Sequence, residues 1–237
     1  MSAALAALGV VGDGGLASRP LLLVLGMAAL SLLPFVLLLM TSFVKIAVVL
    51  SVLKSALGTP QIPPSQVVTG LALILTCYIM APTGERMYRA VEPLLGGAAG
   101  ADVMSGQTLE AMSGVAEKAK EPLREFLVKH ASAKDRTLFH GLALRMRTPE
   151  ERAGIGDRDF LVVVPAFLTS ELRRAFEIGF LLFLPFLVVD MVIANLLLAL
   201  GMHMLSPTTV SLPFKLLLFV LADGWQLLLR GLVESYV

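Results

Sequence analysis

Residues 21–40 read LLLVLGMAALSLLPFVLLLM and contain no charged side chain. A helix needs about 20 apolar residues to cross the hydrocarbon core of a bilayer. This stretch therefore predicts a membrane-spanning helix. Pro34 predicts a kink in that helix or the start of a second one, because proline lacks a backbone N–H and clashes with the preceding turn.

A second charge-free stretch lies between Lys54 and Glu85, and GTPQIPP at residues 58–64 interrupts it near its start. Proline and glycine end helices, and Ser65 is a suitable N-cap for a helix that runs past Met80. Two apolar helices joined by a short proline-rich turn are typical of an antiparallel hairpin. We therefore predict an apolar helical hairpin in residues 20–84.

The composition of the whole chain agrees with a membrane protein. Of its 237 residues, 57% are hydrophobic and 16% are charged, whereas a typical soluble domain has about 25% charged residues. The mean hydropathy is +0.83. This balance excludes a disordered or collagen-like chain, and the single cysteine excludes a disulfide scaffold. The net charge of +1 gives no indication of a nucleic-acid partner.

The charged residues are concentrated in the middle of the chain. Residues 85–158 hold 12 of the 19 Lys and Arg residues and 11 of the 18 Asp and Glu residues. Apolar residues at helical spacing in 109–128 predict an amphipathic helix there, interrupted at Pro122. We therefore predict four segments: a flexible leader (1–19) without the basic region of a cleavable signal peptide, the hairpin (20–84), a polar and mainly helical segment (85–158), and C-terminal apolar helices with a loop (159–237).

The C-terminal segment mixes apolar runs with charged residues. Its apolar stretches are residues 160–169, 178–189, 191–205 and 212–233. A charged side chain in the middle of a membrane is unfavourable by about 2.5–3.5 kcal/mol on insertion scales. Only residues 178–205 therefore resemble a lipid-facing span, and the other helices are expected to face protein or water. The overall fold class is predicted to be all-α.

No motif of a known catalytic chemistry occurs in the sequence. Zinc-protease, redox-cysteine, serine-hydrolase and nucleotide-binding patterns are all missing, and the three histidines are not at metal-ligand spacing. The sequence therefore favours a structural or transport role, without a cofactor, over an enzyme.

Several long runs resemble the FliP/SctR (YscR) family, the core export-gate proteins of bacterial type III secretion. In the first half these are MTSFVKIAVVL (40–50), SALGTP (55–60) and PP (63–64). In the second half they are AFLTSELRRAFEIGF (166–180), LPFLVVD (184–190), ALGM (199–202), SP (206–207), LPFKLLLFV (212–220) and DGW (223–225). The resemblance covers residues 31–82 and 160–236.

This resemblance implies a role in protein export at the bacterial inner membrane. Family members form a ring of five copies, joined by FliQ/SctS-type and FliR/SctT-type subunits, and work with FlhB/SctU-type and FlhA/SctV-type proteins. Unfolded polypeptides pass through the helical gate that they build. The run MLSPTT at 204–209 and the expected lack of a signal peptide resemble the injectisome branch, SctR, more than the flagellar branch, FliP.

The resemblance also implies a methionine-rich loop that seals the pore, which in this chain falls on Met202, His203 and Met204. Methionine is unbranched and polarizable, so a ring of such side chains can close around varied peptides, and an apolar constriction resists ions by dewetting. His203 departs from the family's unbroken methionine run and introduces a titratable group. The alternative is that the three are ordinary core residues at a helix end.

Charged residues in the apolar helices are the other candidates. Lys45 is expected to pair with Glu171, Glu177 or Asp190, or to snorkel to a membrane interface. For Glu171, Arg173, Arg174 and Glu177 we favour inter-subunit salt bridges over a solvated helix face. Asp190 and Asp223 are expected to serve a helix end or an inter-subunit contact, with Asp223 at a helix kink, rather than a proton relay. A small-solute or proton transporter that uses Lys45, Asp190 and His203 is the alternative function.

Overall fold

The structure is a computed structural model that describes residues 18–58, 63–98, 106–152 and 154–237. These residues form helices and turns and contain no β-strand, which confirms the all-α fold class. The helices are α1 (Ser18–Leu39), α2 (Phe43–Leu57), α3 (Ser65–Ala98), α4 (Gly106–His130), α5 (Ala133–Arg145), α6 (Pro149–Arg152), α7 (Phe160–Ala199), α8 (Pro207–Leu221) and α9 (Gly224–Glu234). Most of the predicted leader, residues 1–17, lies outside the described part of the chain.

The chain divides into two compact units, Met1–Leu39 and Met40–Val237. In the first unit, α1 is a 22-residue helix that contains Pro34 and continues to Leu39, so Pro34 does not start a new helix. Its large exposed side chains include Met27 and Phe35. The four-segment division made from the sequence stays a prediction.

Helix α2 is the centre of the second unit. Its side chains Ile46, Val49, Leu50 and Leu53 recur at three- and four-residue spacing and are buried, as expected for a helix whose apolar stripe faces a core. The buried side chains that pack in the same cluster come from four other helices: Val68 and Ala72 of α3, Ala175 and Phe186 of α7, Phe219 of α8, and Leu228 and Leu232 of α9.

A second core joins α4 to the first half of α7. Leu123, Phe126 and Leu127 of α4 pack with Val163, Ala166 and Phe167 of α7. The predicted interruption at Pro122 is wrong, because α4 runs through it for 25 residues. Proline removes one backbone hydrogen bond, and burial of the three apolar side chains that follow it offsets this loss.

Residues 160–199 form one helix, although charged residues divide this part of the sequence into several apolar stretches. Helix α7 is continuous over 40 residues and contains both Pro165 and Pro185. A buried stripe follows one side of its first half, at Val162, Ala166 and Ser170. This packing against α2 and α4 holds the helix together across positions where the local sequence favours a break.

In the C-terminal segment, the candidate membrane span of the described helices begins well before residue 178, where the sequence analysis placed it. Two helical segments, Ser65–Pro93 and Phe160–Ala199, are long and apolar enough to cross a bilayer, or up to four segments if bent helix pairs count as single spans. The pair α8 and α9 bends by 61° between them. Asp223 lies at this bend in the left-handed conformation, with φ of 48°.

Candidate functional site

A buried ion pair joins α2 to α7. The Nζ atom of Lys45 lies 3.4 Å from Oε2 of Glu171, and both side chains are fully buried. Of the three carboxylates proposed for Lys45, Glu171 is therefore its neighbour in this chain. Glu177 is exposed, and Asp190 has other partners. An unpaired lysine at this depth would be strongly unfavourable, so the pair ties the two helices together.

Tyr236 and Arg174 complete the surroundings of Glu171. The hydroxyl of Tyr236 donates a hydrogen bond to Oε2 of Glu171, and Arg174 donates to Oε1 at 3.1 Å. The ammonium of Lys45 also lies 3.5 Å from the centre of the Tyr236 ring, a favourable cation–π arrangement. Burial and the nearby charge of Glu171 raise the pKa of the Tyr236 phenol, so the phenol stays a hydrogen-bond donor.

The next charged residue of α7 is paired with α5. Arg173 donates to Oδ1 of Asp135 at 2.8 Å, and the hydroxyls of Ser132 and Ser170 donate to Oδ2 at 2.9 and 2.7 Å. Burial of Asp135 opposes its ionisation, but these hydrogen bonds from Ser170, Ser132 and Arg173 outweigh it and lower the pKa of Asp135. Glu171, Arg173 and Arg174 thus have partners within the chain. Inter-subunit contacts of the cluster, which includes the exposed Glu177, stay a prediction.

A second polar cluster lies where α7, α8 and α2 meet. Asp190 accepts hydrogen bonds from Ser211 through Oδ1 and from Lys215 through Oδ2, the latter at 2.6 Å. Lys215 also donates to the backbone carbonyl of Ala56 at 3.1 Å. Ser211 and Lys215 are buried. Helices α7 and α8 with the loop between them form a hairpin, which is distinct from the hairpin predicted for residues 20–84. We call Asp190, Ser211, Lys215 and the Ala56 carbonyl the hairpin cluster, since three of its four members connect α7 to α8.

The loop between α7 and α8 carries Met202, His203 and Met204. Gly201 before it has φ of 73°, a conformation that glycine adopts without strain. The Met202 N–H donates to the Leu197 carbonyl at 2.9 Å, and the Gly201 N–H donates to Leu198 at 3.0 Å, the hydrogen-bond pattern of a Schellman motif. The side chains of Met202 and Met204 are 47% and 99% exposed, so within this chain they are not core residues.

A cavity of about 760 Å³ lies beside the buried ion pair. Tyr78, Phe126, His130 and Tyr236 are among the side chains that line it. Burial, followed by the positive charges of Lys129, Lys45 and Arg174, lowers the pKa of His130 to about 4. Within the described residues, His, Cys, Asp and Glu side chains form no group of three that could hold a metal ion.

Reasoning from sequence missed six residues of these clusters: Ser132, Asp135, Ser170, Ser211, Lys215 and Tyr236. Lys215 lies in an apolar helix just as Lys45 does, so the same reasoning could have singled it out. Tyr236 has no such signal, because its role depends on contacts with Phe126, His130 and Lys45 that lie far away in the chain. Asp223, which the sequence did single out, is exposed, and its side chain makes no capping hydrogen bond.

The chain resembles known proteins over most of its length. A profile of the FliP family matches residues 26–232. The hypersensitivity response secretion protein HrcR of Ralstonia nicotianae is 44% identical over 88% of this chain and 93% of its own length. Yop proteins translocation protein R of Yersinia pestis is 45% identical over 90% and 95%, and the flagellar biosynthetic protein FliP of Bacillus subtilis is 44% identical over 90% of each.

Proposed function

The chain belongs to the FliP family, and we propose that it is a core subunit of a type III secretion export gate in which five copies surround a protein-conducting channel. Its relatives are secretion, translocation and flagellar biosynthesis proteins by name. The chain is accordingly a component of a secretion or flagellar export apparatus. The ring of five, the channel and the injectisome branch are the further steps of the proposal.

The exposed Met202–Met204 loop carries the proposal. Met204 is almost fully exposed and Met202 is half-exposed in the isolated chain, so both side chains are available for contact with other copies or with a passing polypeptide. In a ring, five such loops would meet at the axis and form a narrow apolar constriction. The methionine side chains would seal it against ions and still yield to an unfolded substrate. His203, also exposed, would place a titratable ring beside the seal.

The outer surfaces of α7 and α8 support assembly in a membrane-associated complex. Both helices expose large apolar side chains, among them Phe176, Phe180 and Val188 of α7 and Leu217 and Leu221 of α8. A surface of this kind requires lipid or protein partners. The proposed partners are further copies of this chain, FliQ/SctS-type and FliR/SctT-type subunits, and FlhB/SctU-type and FlhA/SctV-type proteins in the bacterial inner membrane. The chain contributes no catalysis in this proposal.

The seal can be tested in the full complex, expressed with its partner subunits and reconstituted in liposomes. Replacement of Met202 and Met204 by alanine should raise the leak of small ions several-fold while protein export continues. Met146→Ala is the matched control, because Met146 is 86% exposed but lies at the end of α5. An unchanged leak in the double variant would contradict the seal.

The oligomeric state is tested separately. Native mass measurement of the detergent-purified complex should give five copies of this chain with its partners. A stable monomer that moves small solutes would instead favour the transporter alternative.

A further inference from the structure

The loop that carries Met202 and Met204 is positioned by a polar contact away from the loop itself. We propose that the hairpin cluster is a latch in which Lys215, held by Asp190, fixes the α7–α8 hairpin to the end of α2 and so sets where the loop lies. Asp190, Ser211 and Lys215 would then be positioning residues of the seal. The inference rests on the proposed function, since it assigns a role to the same loop.

The loop is rigid at its ends but unsupported at its tip. The Schellman motif fixes Gly201 and Met202 to the last turn of α7, and α8 begins at Pro207 directly after Ser206. Met204 is almost entirely exposed. The place of the tip is therefore set by the two helices that carry it, and a change in the angle between them would move the tip.

Asp190 and Ser211 hold these two helices together near the loop. Asp190 lies 12 positions before Met202, and Ser211 lies seven positions after Met204. The hydrogen bonds from Ser211 and Lys215 to the same carboxylate therefore bridge the two arms of the hairpin. Phe186 of α7 and Phe219 of α8 add an apolar contact, with ring centres 6.4 Å apart.

Lys215 connects the hairpin to the central helix of the core. Its ammonium donates to the carbonyl of Ala56. Ala56 is one of the last four residues of α2, and the carbonyls of these residues find no N–H donor within the helix. A cation at a helix C-terminus is also favoured by the helix dipole. Gly58, with φ of 76°, turns the chain away at this point, and a Cβ built on it would lie 3.8 Å from the ammonium.

Packing alone does not require charged side chains in the hairpin cluster. The side chain of Lys215 is buried with 3% of the residue exposed, and a buried ion pair is often replaceable by apolar side chains without loss of stability. Methionine would fill much of the same volume. Methionine, however, makes no directional hydrogen bonds. The Lys215 ammonium bonds to one carboxylate oxygen and one carbonyl, and these two bonds fix the angle of α8 relative to both α7 and α2.

The test uses spin labels in the assembled complex. Cys77 is the single cysteine of the chain, so a Cys77→Ala background with Met204→Cys places one label per copy at the tip of the loop. Label-to-label distances measured by double electron–electron resonance should form a narrow distribution in the parent. Lys215→Met should broaden that distribution, and in a chain that retains Met204 it should raise the ion leak several-fold. Met146→Cys, labelled in the same variants, is the reference site and should keep its distribution.

Two further variants keep the test decisive if Lys215→Met fails to assemble. Ser211→Ala removes one of the two bonds to Asp190, and Asp190→Asn removes the charge but keeps the shape, so each should broaden the distribution at position 204 by less than Lys215→Met does. Lys215→Arg, which retains a buried cation, should restore a narrower distribution. The latch is overturned if an assembled Lys215→Met variant, or both of the milder variants Ser211→Ala and Asp190→Asn, keeps the parental width and leak.

The proposed function fails in a different way. If the parent itself shows no short distances between labels at position 204, the loops do not converge on an axis, whatever the Lys215 variants do. A narrow parental distribution with no response to the variants rejects the latch alone.

Discussion

Gly179 of α7 lies so close to Val52 of α2 that a Cβ atom built on Gly179 would stand 2.9 Å from Cγ1 of Val52. Real Cβ contacts are longer than this, so a side chain at position 179 requires the Val52 side chain or the two helices to shift. Gly179 thus permits the close approach of α2 and α7, the same two helices that the Lys45–Glu171 pair connects.

Gly179→Ala should therefore destabilise the protein by about 1–3 kcal/mol through overpacking. Val52→Ala in the same chain should restore much of the loss, because it removes the methyl groups that the new side chain meets. The melting temperature of the purified protein in detergent measures both effects. Gly70→Ala is the control, since a Cβ there meets nothing within 4 Å. Equal effects at positions 179 and 70 would refute the close contact.

The buried ion pair predicts that substitutions of Lys45 and Glu171 have non-additive effects on the free energy of unfolding. Glu171→Gln should destabilise by about 3–5 kcal/mol, because it leaves the buried Lys45 ammonium without a carboxylate. Lys45→Met should destabilise by less, because Arg174 and Tyr236 still bind the Glu171 carboxylate. The double variant should be more stable than the sum of the two single losses predicts. A double-mutant cycle of unfolding in detergent checks this, with the exposed pair Arg230 and Glu234 as a control that shows no measurable coupling. An additive pair at 45 and 171 would contradict the interaction.

His130 predicts a loss of stability in mild acid. Its pKa falls from 6.5 to about 4 in the folded protein, so below pH 6.5 the unfolded chain binds a proton that the folded chain does not. Stability is then complete above pH 6.5 and declines as pH falls towards 4, by roughly 3 kcal/mol in total. Melting temperature against pH should show this decline.

The same experiment separates His130 from other groups. His130→Phe should flatten the profile between pH 6.5 and 4, whereas His203→Gln, a change at an exposed side chain, should retain the decline. The lowered pKa of Asp135 acts in another window: its contribution is present above about pH 3.8 and is lost at lower pH as the carboxylate is protonated. A His130→Phe profile identical to that of the parent would disprove the assignment.

The left-handed turn at Gly201 predicts that this position rejects side chains. Gly201→Ala should be unfavourable by about 1–2 kcal/mol, because φ of 73° is strained for any residue with a Cβ. Gly231→Ala is the contrasting variant: it lies inside α9 with open space around it, and alanine there should stabilise by about 0.5–1 kcal/mol. The change in melting temperature should be negative for Gly201→Ala and positive for Gly231→Ala. Stabilisation by both would argue against the Schellman geometry.

Local features of the fold were predictable from sequence. The charge-free run at residues 21–40 and the periodic apolar residues of α4 indicate helices, since helix formation depends on residues three and four apart. Lys45 stood out because a lysine in an apolar helix requires a partner. The continuity of α4 and α7 through Pro122 and Pro185 was not predictable, because it depends on burial against other helices.

The sequence by itself determined that this protein is a helical, membrane-associated member of its family, with methionines in a turn between two apolar helices. Only the tertiary structure decided that Glu171 rather than Asp190 lies beside Lys45, and that Lys215 reaches a carbonyl 159 residues away in the chain. The physical reason is the separation along the chain over which each feature is set. Composition and periodicity are properties of neighbouring residues, whereas the partner of a buried charge is chosen by how distant helices pack.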